Sequence, residues 1–130
     1  MNSRQEQFVK PKRVALYCRV ATDDQHNKAL ENQAQSLRAY AEARGYEIVK
    51  IIQERGPGTK MDRSGIRVLY ELAGRRAMDE VLATSMSCYV RGTASVLSGF
   101  IESLADMGVV AATELEGDLR EALPDLIKIT

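Results

Sequence analysis

The sequence predicts an α/β domain of three layers, a mostly parallel sheet with helices on both faces. Three observations carry that prediction. Four short apolar runs, at 14–18, 46–52, 81–83 and 109–112, have the length of buried strands. Three longer segments between them repeat their apolar residues at spacings of three and four, the period of a helix with one buried stripe. The two kinds alternate along the chain, and a strand–helix–strand crossover leaves successive strands parallel.

Each element has a local reason. The first run starts with a β-branched residue, Val14, and holds Tyr17, so it reads as a strand. The polar stretch before it, 1–12, reads as a flexible lead-in to one domain over 13–130. Asp23, Asp24 and Asn27 mark a loop. Leu30, Ala34, Leu37 and Ala41 then line one face of a helix over 30–44, which Gly45 stops. A second strand follows at 46–52. Gly56, Pro57 and Gly58 make 54–63 a loop by composition. Ile66, Leu69, Tyr70 and Ala73 form a short second helix ended by Gly74. Val81, Leu82 and Ala83 are the third strand, within 80–86. Leu97, Phe100, Ile101, Leu104 and Met107 are the third helix, ended by Gly108, with the fourth strand at 109–112. Leu119, Leu123, Leu126 and Ile127 suggest a helical stub interrupted at Pro124.

Composition bounds the function. The 130 residues suit one domain, and a hydrophobic content of 45% supplies its core. Lys plus Arg and Asp plus Glu number 18 each, so the net charge is zero. Duplex binding rests on phosphate neutralisation, so a neutral domain is expected to bind DNA weakly alone. Lys10, Lys12 and Arg13, and the pair Arg75 and Arg76, read as solvated surface. Cys18 and Cys88 lie in apolar stretches without a CxxC, which fits buried free thiols in a reducing cytoplasm rather than a disulfide framework. His26 is the single histidine, so no metal site is expected, and no motif calls for a cofactor. No apolar run reaches the roughly 20 residues of a membrane span, and the amino terminus lacks a signal-peptide core. A cytoplasmic protein with no membrane contact is expected.

Sheets of this kind hold their sites at the carboxyl ends of the strands. Three stretches qualify: 19–25, the Gly-rich loop 54–63, and 87–91. Each carries an arginine, Arg19, Arg63 or Arg91. If they converge they form an anion site, because the guanidinium fork matches a phosphate.

Specific motifs sharpen this. Tyr17-Cys18-Arg19-Val20-Ala21-Thr22-Asp23-Asp24-Gln25 resembles the opening Y-x-R-V-S-T-x-x-Q of the serine site-specific recombinases, the resolvases and invertases. Leu30 through Gln33 resembles the following L-x-x-Q, and residues 58–65 with Asp62-Arg63 resemble the S-G-x-x-x-D-R segment. Val81-Leu82 through Arg91 resembles V-L-V-x-x-L-D-R-L-x-R, and Gly108-Val109 closes a match over about 13–112. The resemblance implies a resolvase-like catalytic domain that exchanges DNA strands. In that family a serine hydroxyl attacks a DNA phosphodiester while arginines stabilise the developing charge.

The departures sit at the chemistry. The nucleophile position is Ala21, which has no hydroxyl. The family's aspartate is Ser87, and the arginine after it is Cys88. Arg19, Gln25, Gln33, Arg63 and Arg91 remain, and the resemblance implies that the three arginines contact phosphate with the two glutamines in support. The expectation is a member of the recombination family without catalysis, working as a homodimer or in mixed assembly with an active recombinase. Two alternatives stay open. One is an inactive fragment of a competent recombinase, since no DNA-binding module is legible in the 130 residues. The other is a flavodoxin-like phosphate or nucleotide binder using residues 56–60, although no complete phosphate-loop motif is present. A plain dimerisation module through the third helix is a further reading, for which core burial of its apolar residues is the simpler use.

Overall fold

Buried along nearly its whole length, the strand Arg13–Val20 (β1) lies inside the sheet with helices on either side. The computed structural model describes residues 10–20, 28–56, 64–89 and 94–122. After β1 come α1 (Ala29–Ala43), β2 (Glu47–Arg55), α2 (Ser64–Gly74) and β3 (Glu80–Ala83). A 3-10 turn (Met86–Cys88), α3 (Ala94–Asp106), β4 (Val110–Thr113) and β5 (Gly117–Asp118) complete the described order. The sheet order is β2-β1-β3-β4-β5, with β5 antiparallel to β4 and the other pairs parallel.

The period-two alternation of a strand sorts β1 between two cores. Val14, Leu16 and Cys18 pack with Leu30, Ala34, Leu37 and Ala41 of α1. Ala15 and Tyr17 pack on the opposite side with Ile66 and Leu69 of α2 and with Leu97, Phe100, Ile101 and Leu104 of α3. This is the three-layer arrangement that the alternating pattern predicts. The apolar stripe of α3, Leu97, Phe100, Ile101 and Leu104, is spent on the core. Tyr89 sits at the centre of the second core. Its ring stacks on Tyr17 with centroids 5.7 Å apart, and its hydroxyl donates to the carbonyls of Val81 and Ala112 at 3.0 and 2.7 Å.

Several boundaries differ from the sequence reading. β1 runs on to Val20, so Arg19 is a strand residue rather than the start of a loop. β2 reaches Arg55, so Glu54 and Arg55 leave the expected loop and join the sheet. The reason is pairing: Arg19 and Val20 register against Glu54 and Arg55, and the ladder overrides the polar composition. The third strand stops at Ala83 and Met86 enters the 3-10 turn. β5, two residues long, was too short to leave a period in the sequence. Gly45 does end α1, at φ +72, a left-handed conformation that suits glycine.

The basic cluster at the start of β1 is neutralised. Lys12 Nζ lies 3.1 Å from Glu80 Oε1. Arg13 donates to Asp79 from its backbone N–H at 2.9 Å, from Nε at 3.2 Å and from Nη2 at 3.1 Å. These pairs lie at the amino ends of β1 and β3, the edge opposite the carboxyl-end crevice. The hydrogen bonds from Arg13 hold the Asp79 carboxyl below its ordinary value. A lowered folded-state value stabilises the protein above the unfolded carboxylate pKa, and the contribution is lost as pH falls below about 4 and through the folded value. Asp79→Asn is therefore expected to lower stability modestly at neutral pH and to flatten the acid limb. Urea denaturation between neutral and acid pH measures both. A variant whose acid limb matches the native one would remove this assignment.

Candidate active site

The chain runs from β1 to the edge strand β2 and then crosses back past β1 to β3. The crevice beyond the carboxyl ends of β1 and β3 is thus the point where the winding reverses, the usual place for a site in an open α/β sheet. Arg19 stands at one side of it, and Ser87 and Cys88 follow β3 on the other. Ala21, Gln25, Arg63 and Arg91 lie outside the described residues.

Arg19 shares the Tyr17 side of β1, where α2 covers the sheet, and its direct register partner on β2 is Glu54. The side chains are 4% and 11% exposed, and Arg19 Nη1 donates to Glu54 Oε1 at 3.2 Å. The other terminal nitrogen, Nη2, donates to the carbonyl of Gly56. Glu54 Oε1 also accepts the Tyr17 hydroxyl at 2.7 Å. Glu54 Oε2 accepts the Gly65 N–H at 2.5 Å and the Ser64 hydroxyl at 3.4 Å. The carboxylate therefore caps the amino end of α2 from a neighbouring strand, where N–H groups lack intrahelical partners.

Gln33 serves the backbone of the same arginine. The ladder from β1 to β3 covers Val14 to Leu16, and β1 continues beyond it. There the Gln33 carboxamide stands in for a strand. Its Oε1 accepts the Arg19 N–H at 2.9 Å and its Nε2 donates to the Arg19 carbonyl at 2.9 Å. An unpaired buried peptide group is costly, so this clamp holds the backbone of Arg19 where the β3 ladder has ended. Arg19 and Gln33, singled out separately in the sequence, are thus one unit.

On the β3 side, Ser87 is exposed and its hydroxyl lies 2.9 Å from that of Ser85. Cys88 is 7% exposed, with its sulfur 3.4 Å from the Thr84 hydroxyl. Cys18 is fully buried, and burial, with Cys88 nearby, pushes its thiol up to about 11, so it is protonated at neutral pH. Among the described residues, no helix is long and apolar enough to cross a membrane.

Sequence reasoning missed Glu54 and Gly65. The neighbouring Gly56-Pro57-Gly58 draws Glu54 into a loop by composition. The signal that would have found it is alternation: counting by two from Ile52 puts Glu54 on the face of β2 that α2 covers. Gly65 shows no signal short of the packing itself.

A family model described as the resolvase N-terminal domain matches residues 14–122. The chain is 31% identical to the C-terminal catalytic domain of ISC1926 TnpA, an IS607-like serine recombinase, with a TM-score of 0.72 over 90% of this chain and 79% of that one. It is 27% identical to a resolvase family site-specific recombinase from Streptococcus pneumoniae, with a TM-score of 0.70 over 91% and 87% of the two chains. The N-terminal catalytic domain of TP901-1 integrase shares the fold at 23% identity, with a TM-score of 0.76 over 91% and 90%. These likenesses favour the recombinase reading over the nucleotide-binding one.

Proposed function

This chain belongs to the resolvase N-terminal domain family of serine recombinases, and on that premise we propose that it engages DNA phosphate in a recombination assembly without cutting DNA. The observation that carries the proposal is Arg19. It is held at the carboxyl end of β1 by Glu54 and Gln33, two residues ahead of Ala21, where the family's serine belongs. Arginine without hydroxyl can bind an anion but cannot form a phosphoserine link.

In this reading Arg19, Arg63 and Arg91 take the phosphate. Gln25 supports it, and Gln33 acts through the backbone of Arg19. Ser87 and Cys88 replace the family's aspartate and arginine, which removes one fixed donor fork from the pocket. Loss of a single such donor commonly costs a hundredfold or more in rate, so the missing arginine compounds the missing nucleophile. The three losses together fit a repurposed protein. The domain acts as a dimer or beside an active recombinase, within the cytoplasm. No metal or cofactor enters, because arginines carry the charge.

The test is duplex binding across a salt series by fluorescence anisotropy. The native chain is expected to bind on the order of micromolar, weakening steeply with salt. Arg91→Ala should weaken binding for all sequences and reduce the salt slope by about 1. No binding at low salt would overturn the DNA reading. A covalent adduct with nicked site DNA would overturn the inactivity.

A further inference from the structure

One carboxylate, that of Glu54, serves two elements at once. Its Oε1 takes the Tyr17 hydroxyl and Arg19, and its Oε2 takes the Gly65 N–H and the Ser64 hydroxyl at the start of α2. Both terminal nitrogens of Arg19 already face oxygen acceptors, Glu54 and the Gly56 carbonyl, and the side chain is 4% exposed. A DNA phosphate asks for the same fork of donors. Two anions against one nearly buried guanidinium repel each other, and the fork cannot pair fully with both. We infer that Glu54 is an internal competitor for the phosphate, so that an anion arriving at Arg19 displaces the carboxylate and loosens the amino end of α2. The inference rests on the proposed phosphate role of Arg19.

The coupling runs both ways, as any linkage between two binding events must. While Glu54 holds Arg19, the first turn of α2 is capped and anion affinity is low. When a phosphate holds Arg19, Gly65 and Ser64 lose a charged acceptor. A competitor of this kind differs from a positioning residue in the sign of its effect. Removing a positioning carboxylate weakens anion binding, whereas removing a competing one strengthens it.

The test titrates inorganic phosphate into the full chain at ionic strength held constant with chloride. Nuclear magnetic resonance follows the Arg19 guanidinium and the Gly65 amide, in the native protein and in Glu54→Gln. The glutamine removes the charge and keeps one acceptor oxygen, which can face Tyr17 and Arg19 or Gly65 but not both sides at once. Phosphate is expected to bind Glu54→Gln roughly tenfold more tightly, the scale of removing one like charge near the site. Saturating phosphate is expected to speed hydrogen exchange at the native Gly65 amide. Equal or weaker binding by Glu54→Gln, with the native chain still binding at Arg19, overturns the competitor and leaves the phosphate reading standing. Phosphate that leaves the Arg19 resonances unmoved in both proteins removes both. Should Glu54→Gln not fold, the native Gly65 amide decides: faster exchange in phosphate upholds the competition, and unchanged protection with Arg19 occupied overturns it.

Discussion

Glu54→Ala is expected to lower the free energy of unfolding by about 3–5 kcal/mol, the cost of leaving one partner of a buried ion pair unpaired. Arg19 is 4% exposed and Glu54 11%, so solvent screens the stranded guanidinium little. The same change removes the acceptor of the Tyr17 hydroxyl and of the Gly65 N–H. The double variant Arg19→Met with Glu54→Leu is expected to lose less than Glu54→Ala alone. It removes both charges together, and the desolvation cost of a buried pair consumes much of its attraction. The Gly65 N–H loses its Glu54 acceptor in the double variant too, which sets a residual loss of about 1–3 kcal/mol. Urea denaturation of the three proteins checks the ordering. A loss under about 1 kcal/mol for Glu54→Ala would show that the pair behaves as a surface one.

The second large effect has opposite signs at two glycines of similar helical setting. Alanine normally gains about 1 kcal/mol over glycine inside a helix. At Gly99, in the middle of α3, a Cβ meets nothing within 4 Å, so Gly99→Ala is expected to stabilise by about that amount. At Gly65, in the first turn of α2, a Cβ lands 2.8 Å from Glu54 Oε2 and 3.0 Å from both Ile52 Cγ2 and Tyr17 Cε1. Tyr17 is fully buried and Ile52 is 8% exposed, and both belong to packed strands, so neither can retreat. The carboxylate would have to move off the helix it caps. Overpacking of this kind costs about 1–3 kcal/mol and outweighs the propensity gain, so Gly65→Ala is expected to destabilise. Thermal unfolding of the two variants reads the signs directly. A stabilised Gly65→Ala would mean that α2 shifts freely away from the sheet.

The Glu54 and Gly65 effects turn on the contact between β2 and α2, which also carries the proposed competition for Arg19. A variant that moves stability there is expected to move anion affinity as well. The neutralised pairs at the other end of β1 serve as the contrast. Asp79→Asn should change the acid limb of stability without altering phosphate binding at Arg19, because Arg13 and Asp79 lie at the opposite edge of the sheet.

The sequence alone determined the alternation of strand and helix, and with it the doubly wound sheet. Those elements bury one stripe or two faces, and burial leaves a period in the chain that composition cannot hide. It also determined the family, since Tyr17 to Gln25 and the later motifs hold their spacing. Only the tertiary structure decided the reach of β1 and β2, because Arg19 and Glu54 are polar residues made into strand by pairing with each other. It likewise decided that Lys12 and Arg13 pair with Glu80 and Asp79. Gln33 and Glu54 converge on Arg19 from two separate elements, and Gly65 meets the same Glu54 from a third. Such convergence has no periodicity, because residues 14 and 35 positions from Arg19 meet it only after the sheet has formed.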